Sequence, residues 1–137
     1  MGQIVMSPAN SRHSILQGLL IDALNRLKGD GLVLPECPIQ TAKGVKVPDV
    51  VWVSSQFLGG HGDETPFSKA PDVCIEVLSP SNTQREMEER ELYFARGAKE
   101  VWLCDEQGGL SFYDCTGLLP CSSLFPGIMR IESQYLH

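Results

Sequence analysis

What this chain has little of narrows its possibilities first. Only 11 of its 137 residues are Lys or Arg, against 17 Asp or Glu, which gives a net charge of −6 and a pI near 4.9. Non-specific affinity for nucleic acid comes largely from basic side chains that displace phosphate counterions, so a protein that coats DNA or RNA by charge alone is excluded. Any chemistry on nucleic acid must bring its positive charge from metal ions, or from a dimer that gathers the scarce basic residues on one face. No apolar run approaches the ~20 residues that a bilayer crossing needs, and MGQIVMSPANSRH lacks the basic start and apolar stretch of a secretory signal. A soluble, cytoplasmic protein with no membrane partner is therefore expected. The five cysteines, Cys37, Cys74, Cys104, Cys115 and Cys121, form no CxxC pair and no Cys/His group at zinc-ligand spacing. They read as small buried hydrophobes, Cys74 and Cys104 above all, since both lie inside apolar runs. There is no internal repeat or low-complexity tract. The GG and GHG near position 60 lack the strand-turn-helix context of a phosphate loop.

What is present suffices for one core: 42% of the residues are hydrophobic, and the length suits a single domain spanning residues 1–137. From Ser7 to Lys28 the pattern predicts an amphipathic helix, with Ser7 as cap, Pro8 in the first turn, and Leu16, Leu20, Leu24 and Leu27 along one stripe. GLVLPECPIQT is extended, and KVPDVVWVS is a Val-rich strand buried on at least one face. SQFLGGHGDETPFSKAP reads as a loop, PDVCIEVLS as a second apolar strand, and SPSNTQREMEERELYFARGA as a helix. In that helix Thr83 and Glu86 fit a capping box, and Gly97 fits the residue just past the end. EVWLCD is a third strand, Asp105 to Gly109 a turn into LSFYD, and GIMRIE suggests one or two short strands in the tail. The order predicts an α/β or α+β fold, a central mixed sheet flanked by helices and not doubly wound.

Two acids stand where a purely structural strand would have none. Asp49 opens VVWV directly after Pro48, and Glu76 lies within VCIEVL. A carboxylate inside such a strand is costly to bury unless it is paired, hydrogen-bonded or bound to metal. Neighbouring strands lie ~4.8 Å apart, so two acids level on one face can share a divalent ion. The structural alternative makes Asp49 the cap of a local turn and pairs Glu76 with an arginine such as Arg90. Trp52, Trp102, Tyr93 and Phe94 read as packing residues. SPSNT reads as a turn and helix cap, with backbone amides that could also meet a phosphate.

The ordered strings VPDVVWVS, APDVCIEVLSPSNT and ELYFARGAKEVWLCD resemble the core of the Uma2 family of restriction endonucleases, within the PD-(D/E)XK superfamily. The likeness runs from about Gly2 to Asp105. It implies a restriction-endonuclease-like core and a Mg²⁺- or Mn²⁺-dependent endonuclease acting on nucleic acid, DNA first; because cutting a duplex needs two sites, a homodimer is expected. It implies Asp49 as first metal-binding acid, Glu76 as second, the carbonyl of Val77 as a further ligand, and His13 as a site residue on the first helix. His13 reads equally as a core or helix-surface histidine on the Leu16/Leu20 stripe.

The superfamily pattern places a Lys two residues after the second acid, where this chain has Leu78, and the family takes its basic residue from the following helix. In REMEERELY that position falls on Glu89 or Arg90, and Arg90 is the candidate, sharing a helix face with Met87 and Phe94. Arginine can hold a phosphate but cannot act as a general base. Family members also carry another acid on a helix ahead of the position of MGQIV. Two further readings stay open: a catalytically silent relative that binds DNA or protein, and an unrelated α/β protein in which the two acids lie more than ~8 Å apart.

Overall fold

The computed structural model describes residues 11–27 and 29–136. Helix α1 spans Ser11–Leu27, and Leu16, Leu20 and Leu24, spaced four apart, are fully buried along it. Leu27, expected to end that stripe, is 49% exposed, because α1 runs off the core before its last turn. Ser7, Pro8 and Lys28, expected at the helix ends, lie outside the described residues. The extended segment that follows divides into strand β1 (Leu32–Pro35) and a small hairpin of β2 (Ile39–Thr41) and β3 (Gly44–Lys46). VVWV is strand β4 (Val50–Val53), buried at every position.

The stretch expected to be wholly loop contains a short helix, α2 (Ser55–His61). Its cap is local: the Ser54 hydroxyl accepts from the Phe57 amide at 3.1 Å, a signal that the neighbouring glycines masked. Strand β5 (Val73–Val77) comes next, then α3 (Thr83–Ala95), which ends where Gly97 takes a positive φ of 101°. Strands β6 (Glu100–Cys104), β7 (Leu110–Asp114) and β8 (Gly117–Leu119) complete the order. The tail near GIMRIE contributes no strand beyond one isolated bridge, Gly109 to Arg130, and the last strand comes earlier, at β8.

Six strands form a mixed sheet in the order β1-β4-β5-β6-β7-β8, in which β5 and β6 alone are parallel. The α3 crossover makes that parallel pair possible, since parallel neighbours need a long connection. Strand alternation sends Val50, Trp52, Val73, Ile75 and Trp102 to one face, where α1 covers them. Val51, Val53, Cys74, Val101 and Tyr93 meet on the other, under α3. Both tryptophans are core residues, Trp102 fully buried and edge-on to Phe112 and Phe125. Cys74 and Cys104 are buried thiols, whereas Cys115 is exposed. No helix among the described residues is long and apolar enough to cross a membrane.

The tail is fastened by one buried acid. Glu100 accepts from Trp102 Nε1 at 2.8 Å, Ser122 Oγ at 2.6 Å and the Ser123 amide at 2.9 Å. Glu100→Ala strands these buried donors, so we expect a loss of about 3 kcal/mol or more. Chemical denaturation measures it, and an unchanged midpoint contradicts the assignment.

Candidate metal centre

The β4–β5 register fixes the first two acids. Val50 lies opposite Ile75, so one step further sets Asp49 opposite Glu76, and residues directly opposed in an antiparallel pair share a face. Their side chains reach across the strands. The Asp49 amide donates to Glu76 Oε1 at 3.1 Å, and the Val77 amide donates to Asp49 Oδ2 at 2.7 Å. Each carboxylate thus rests on the other strand's backbone, which holds both side chains in place.

A third acid arrives from α3. Its buried residues are Glu86 and Tyr93, seven apart and therefore nearly in line on the helix face toward the sheet. Oxygens of Asp49, Glu76 and Glu86 all lie within 4.8 Å of one another. The capping-box reading of Glu86 is corrected here: its carboxylate turns to the acids and to Arg85 Nε at 3.3 Å, while Thr83 Oγ1 donates to the Ser79 carbonyl at 2.8 Å. The missed signal was an acid in register with the helix's buried face. Tyr93, expected only to pack, also donates its hydroxyl to Glu76 Oε2 at 2.7 Å.

Helix α1 reaches the same place from the far side. His13 Nε2 lies 3.2 Å from Asp49 Oδ1, and Gln17, one turn on, donates to the Asp49 carbonyl at 2.8 Å. The structure therefore brings His13, Asp49 and Glu76 together, with Val77 joining them through its amide rather than through the carbonyl expected as a ligand. It does not bring Arg90. The Arg90 guanidinium sits 4.0 Å from the centre of the Tyr113 ring, and its Nε donates to the Met87 carbonyl at 2.8 Å. Nor does Arg90 pair with Glu76, as the structural alternative required. Beside His13, the basic side chains that line the hollow of about 350 Å³ over the acids are Lys46 and Arg85. Ser79 and Ser81 turn to each other, their hydroxyls 3.2 Å apart, in the turn before α3.

Crowding sets the electrostatics. Burial pushes the Glu76 carboxyl well above its ordinary value, the charges of Glu86 and Asp49 add to this, and the Tyr93 hydroxyl works against it. Burial raises Glu86 as well, although a hydrogen bond with Glu76 opposes the rise. Burial, then the Glu76 charge, pushes the Tyr93 hydroxyl far up, so it remains a donor. Three carboxylates this close cannot all be ionised without a counter-charge, so the cluster must hold a proton or a cation. The donor set is entirely oxygen, which suits a hard divalent cation such as Mg²⁺ or Mn²⁺ rather than a thiolate-seeking metal.

Comparison with known proteins gives the family and the fold. The model of the family Uma2, described as "Putative restriction endonuclease", matches residues 1–113. The chain belongs to the Uma2 family. Among solved structures, a "putative nuclease belonging to DUF820" from Anabaena variabilis superposes on this Uma2 chain with a TM-score of 0.69. It is 20% identical, and the alignment covers 93% of this chain and 82% of that one, which establishes a shared fold. No curated protein matches. The third reading made from the sequence, an unrelated protein with its acids far apart, is overturned by the family match and by acid oxygens within 4.8 Å of one another.

The raised carboxyls predict how the Uma2 chain responds to pH. Protons compete with an ion for Glu76 and Glu86, so Mn²⁺ affinity should climb as pH rises from their ordinary value of 4.5. A carboxyl raised on folding contributes stability that is complete below 4.5 and lost as pH rises through the raised value. The metal-free melting temperature should therefore carry a falling component over that range, and Mn²⁺ should reverse it. Tyr93→Phe, which removes the hydrogen bond orienting Glu76, should weaken Mn²⁺ by about 10–100-fold. Calorimetric titrations at several pH values check both; a flat profile contradicts the shared-ion geometry.

Proposed function

We propose that this protein is a metal-dependent endonuclease that hydrolyses phosphodiester bonds of nucleic acid, DNA in the first instance. The observation that carries the reading is the convergence of Asp49, Glu76 and Glu86 within 4.8 Å, in a chain of a restriction-endonuclease family. Asp49, Glu76 and Glu86 would hold Mg²⁺ or Mn²⁺, with the Val77 carbonyl as a further ligand. Bound there, the ion would supply Lewis acidity toward a phosphoryl oxygen and a water poised for attack.

The chain's own residues prepare that site. Tyr93 keeps one Glu76 oxygen engaged, so the other is presented to the hollow beside the Asp49 amide. The Val77 amide does the same for Asp49, and His13 steers the remaining Asp49 oxygen from α1. The walls restrict water on one side by burying Glu76 to 3% exposure, while the hollow above the acids opens to solvent, where a strand would enter. Cutting both strands of a duplex calls for two such sites, which a homodimer would supply. We place the activity in the cytoplasm, and the single-domain reading of residues 1–137 goes with it.

One observation favours the silent-relative reading. Position 78 is Leu, and Arg90 is stacked on Tyr113, so the basic residue sought near the acids is at neither place. A direct assay decides. Supercoiled plasmid incubated with Mn²⁺ and the wild-type protein should be nicked, and Asp49→Ala should reduce nicking by at least about 100-fold. Equal nicking by both proteins, or none by either, removes the enzymatic reading; Mn²⁺ binding without nicking leaves a silent metal-binding relative.

A further inference from the structure

The hollow over the acids holds more negative charge than one divalent ion offsets. Besides Asp49, Glu76 and Glu86 it is lined by Glu89, and an incoming phosphodiester would add another negative charge. Lys46 and Arg85 are the Lys and Arg side chains that line it, and they are placed differently. Arg85 is 68% exposed and its Nε already lies 3.3 Å from Glu86. Lys46 is less exposed, at 30%, with its ammonium 3.5 Å from a Glu89 carboxylate that is itself only 13% exposed.

The hairpin explains the placement of Lys46. In the β2–β3 register Lys46 lies opposite Ile39, which is fully buried, so the lysine stem runs on the inward face and carries its charge outward to the hollow. Val45 and Val47 on either side are about half exposed, at 51% and 48%. Two residues, Val47 and the buried Pro48, separate Lys46 from Asp49, and the proline ring fixes the backbone φ of this short link. An ammonium has three donors, and Glu89 occupies one at a distance longer than the ~2.8 Å of a tight charged hydrogen bond. A second hollow, of about 430 Å³, shares Lys46, Arg85 and Glu89 with the first and adds Lys43 beside Glu88 and Glu91, so its lining is mixed in charge and the cations nearest the metal-binding acids are Lys46 and Arg85.

We propose that Lys46 is the phosphate-holding cation of this site, donating to a non-bridging oxygen of the phosphodiester while Glu89 fixes the position of its ammonium. The assignment rests on the nuclease reading for the identity of the ligand. It supplies from the β3 hairpin a basic group that neither Leu78 nor Arg90 provides.

The test uses the full chain with a short duplex, Ca²⁺ for binding, Mn²⁺ for cutting, and the variants Lys46→Ala, Lys46→Arg and Asp49→Ala. Lys46→Ala should keep Mn²⁺ affinity within about twofold and reduce single-turnover cleavage on the order of 100-fold. It should also make the dependence of log affinity on log salt shallower by about 0.9, the signature of one lost phosphate contact. Lys46→Arg should restore most of the salt slope, which a purely structural ion pair with Glu89 does not require. Lys46→Ala with wild-type cleavage and slope, beside an inactive Asp49→Ala, overturns the lysine assignment and leaves the nuclease reading intact. If wild type and Asp49→Ala are equally inert, the nuclease reading fails instead, and the salt slope of duplex binding alone decides for or against Lys46.

Discussion

Glu76 is the constraint on which the rest of the site depends. It sits in β5 with a strand on either side, α3 above it and 3% exposure, so water cannot solvate its charge. A carboxylate in that position is tolerated only if neighbours supply donors or a counter-charge. The Asp49 amide and the Tyr93 hydroxyl are those donors, and each comes from a different element. Holding Glu76 therefore fixes β4 against β5 at its Asp49 end and fixes α3 across the sheet. Two more acids, Asp49 and Glu86, make the problem worse rather than better. A structure selected for stability alone would replace such a cluster by apolar side chains, since buried ionic groups seldom repay their desolvation. The cluster makes sense as a cation-binding group.

The two faces of the sheet divide the labour. On one, α1 buries three leucines and carries no acid into the core, so its contribution is mainly packing. Its first two turns nevertheless reach past the start of β4, where His13 and Gln17 grip Asp49 by carboxylate and carbonyl. On the other, α3 has few apolar residues and is held by what Glu86 and Tyr93 do at the sheet. The helix with the poorer hydrophobic anchor is thus the one whose docking depends on the acids, which ties order in α3 to the charge state of the centre.

Much of this was legible in the sequence. Strands β4, β5 and β6 announced themselves as short Val-rich runs, and a carboxylate amid VCIEVL marked a costly position that pairing with an arginine explained at least as well as a metal, until the family likeness tipped the balance. The opposition of Asp49 to Glu76 followed from alternation plus family likeness. Glu86 was hidden because a capping box accounts for a Glu three residues after Thr83 equally well, and only the docking angle of α3 distinguishes the two. Lys46 was hidden because strands of only three residues, with Ile39 as the fully buried apolar residue of the hairpin, give no sequence sign of where it folds back. Arg90 illustrates the limit of helix-face reasoning. At 100° per residue, Glu86 and Tyr93 define the inward line, and Arg90 falls to one side of it, toward Tyr113, while Glu89 falls to the other, toward Lys46. Both belong to the inward half of the helix, and only the positions of β7 and the hairpin decide which one meets the hollow.

A net charge of −6 looks like an obstacle to handling phosphodiesters, but the two act over different distances. Interactions between exposed charges are largely screened beyond about 8 Å at physiological salt. Net charge therefore weighs on the encounter, slowing approach of a polyanion, whereas contact free energy is set by the groups within the first few ångströms. At the hollow those groups are three acids that a divalent ion would offset, with Lys46 and Arg85 at the rim and Lys43 beyond them. A site of this kind has little attraction for nucleic acid until its acids are neutralised. On the proposed nuclease reading, the same carboxylates would keep a strand out while they lack a counter-charge and would admit it once an ion is bound, so acidity of the chain and work on a polyanion are compatible.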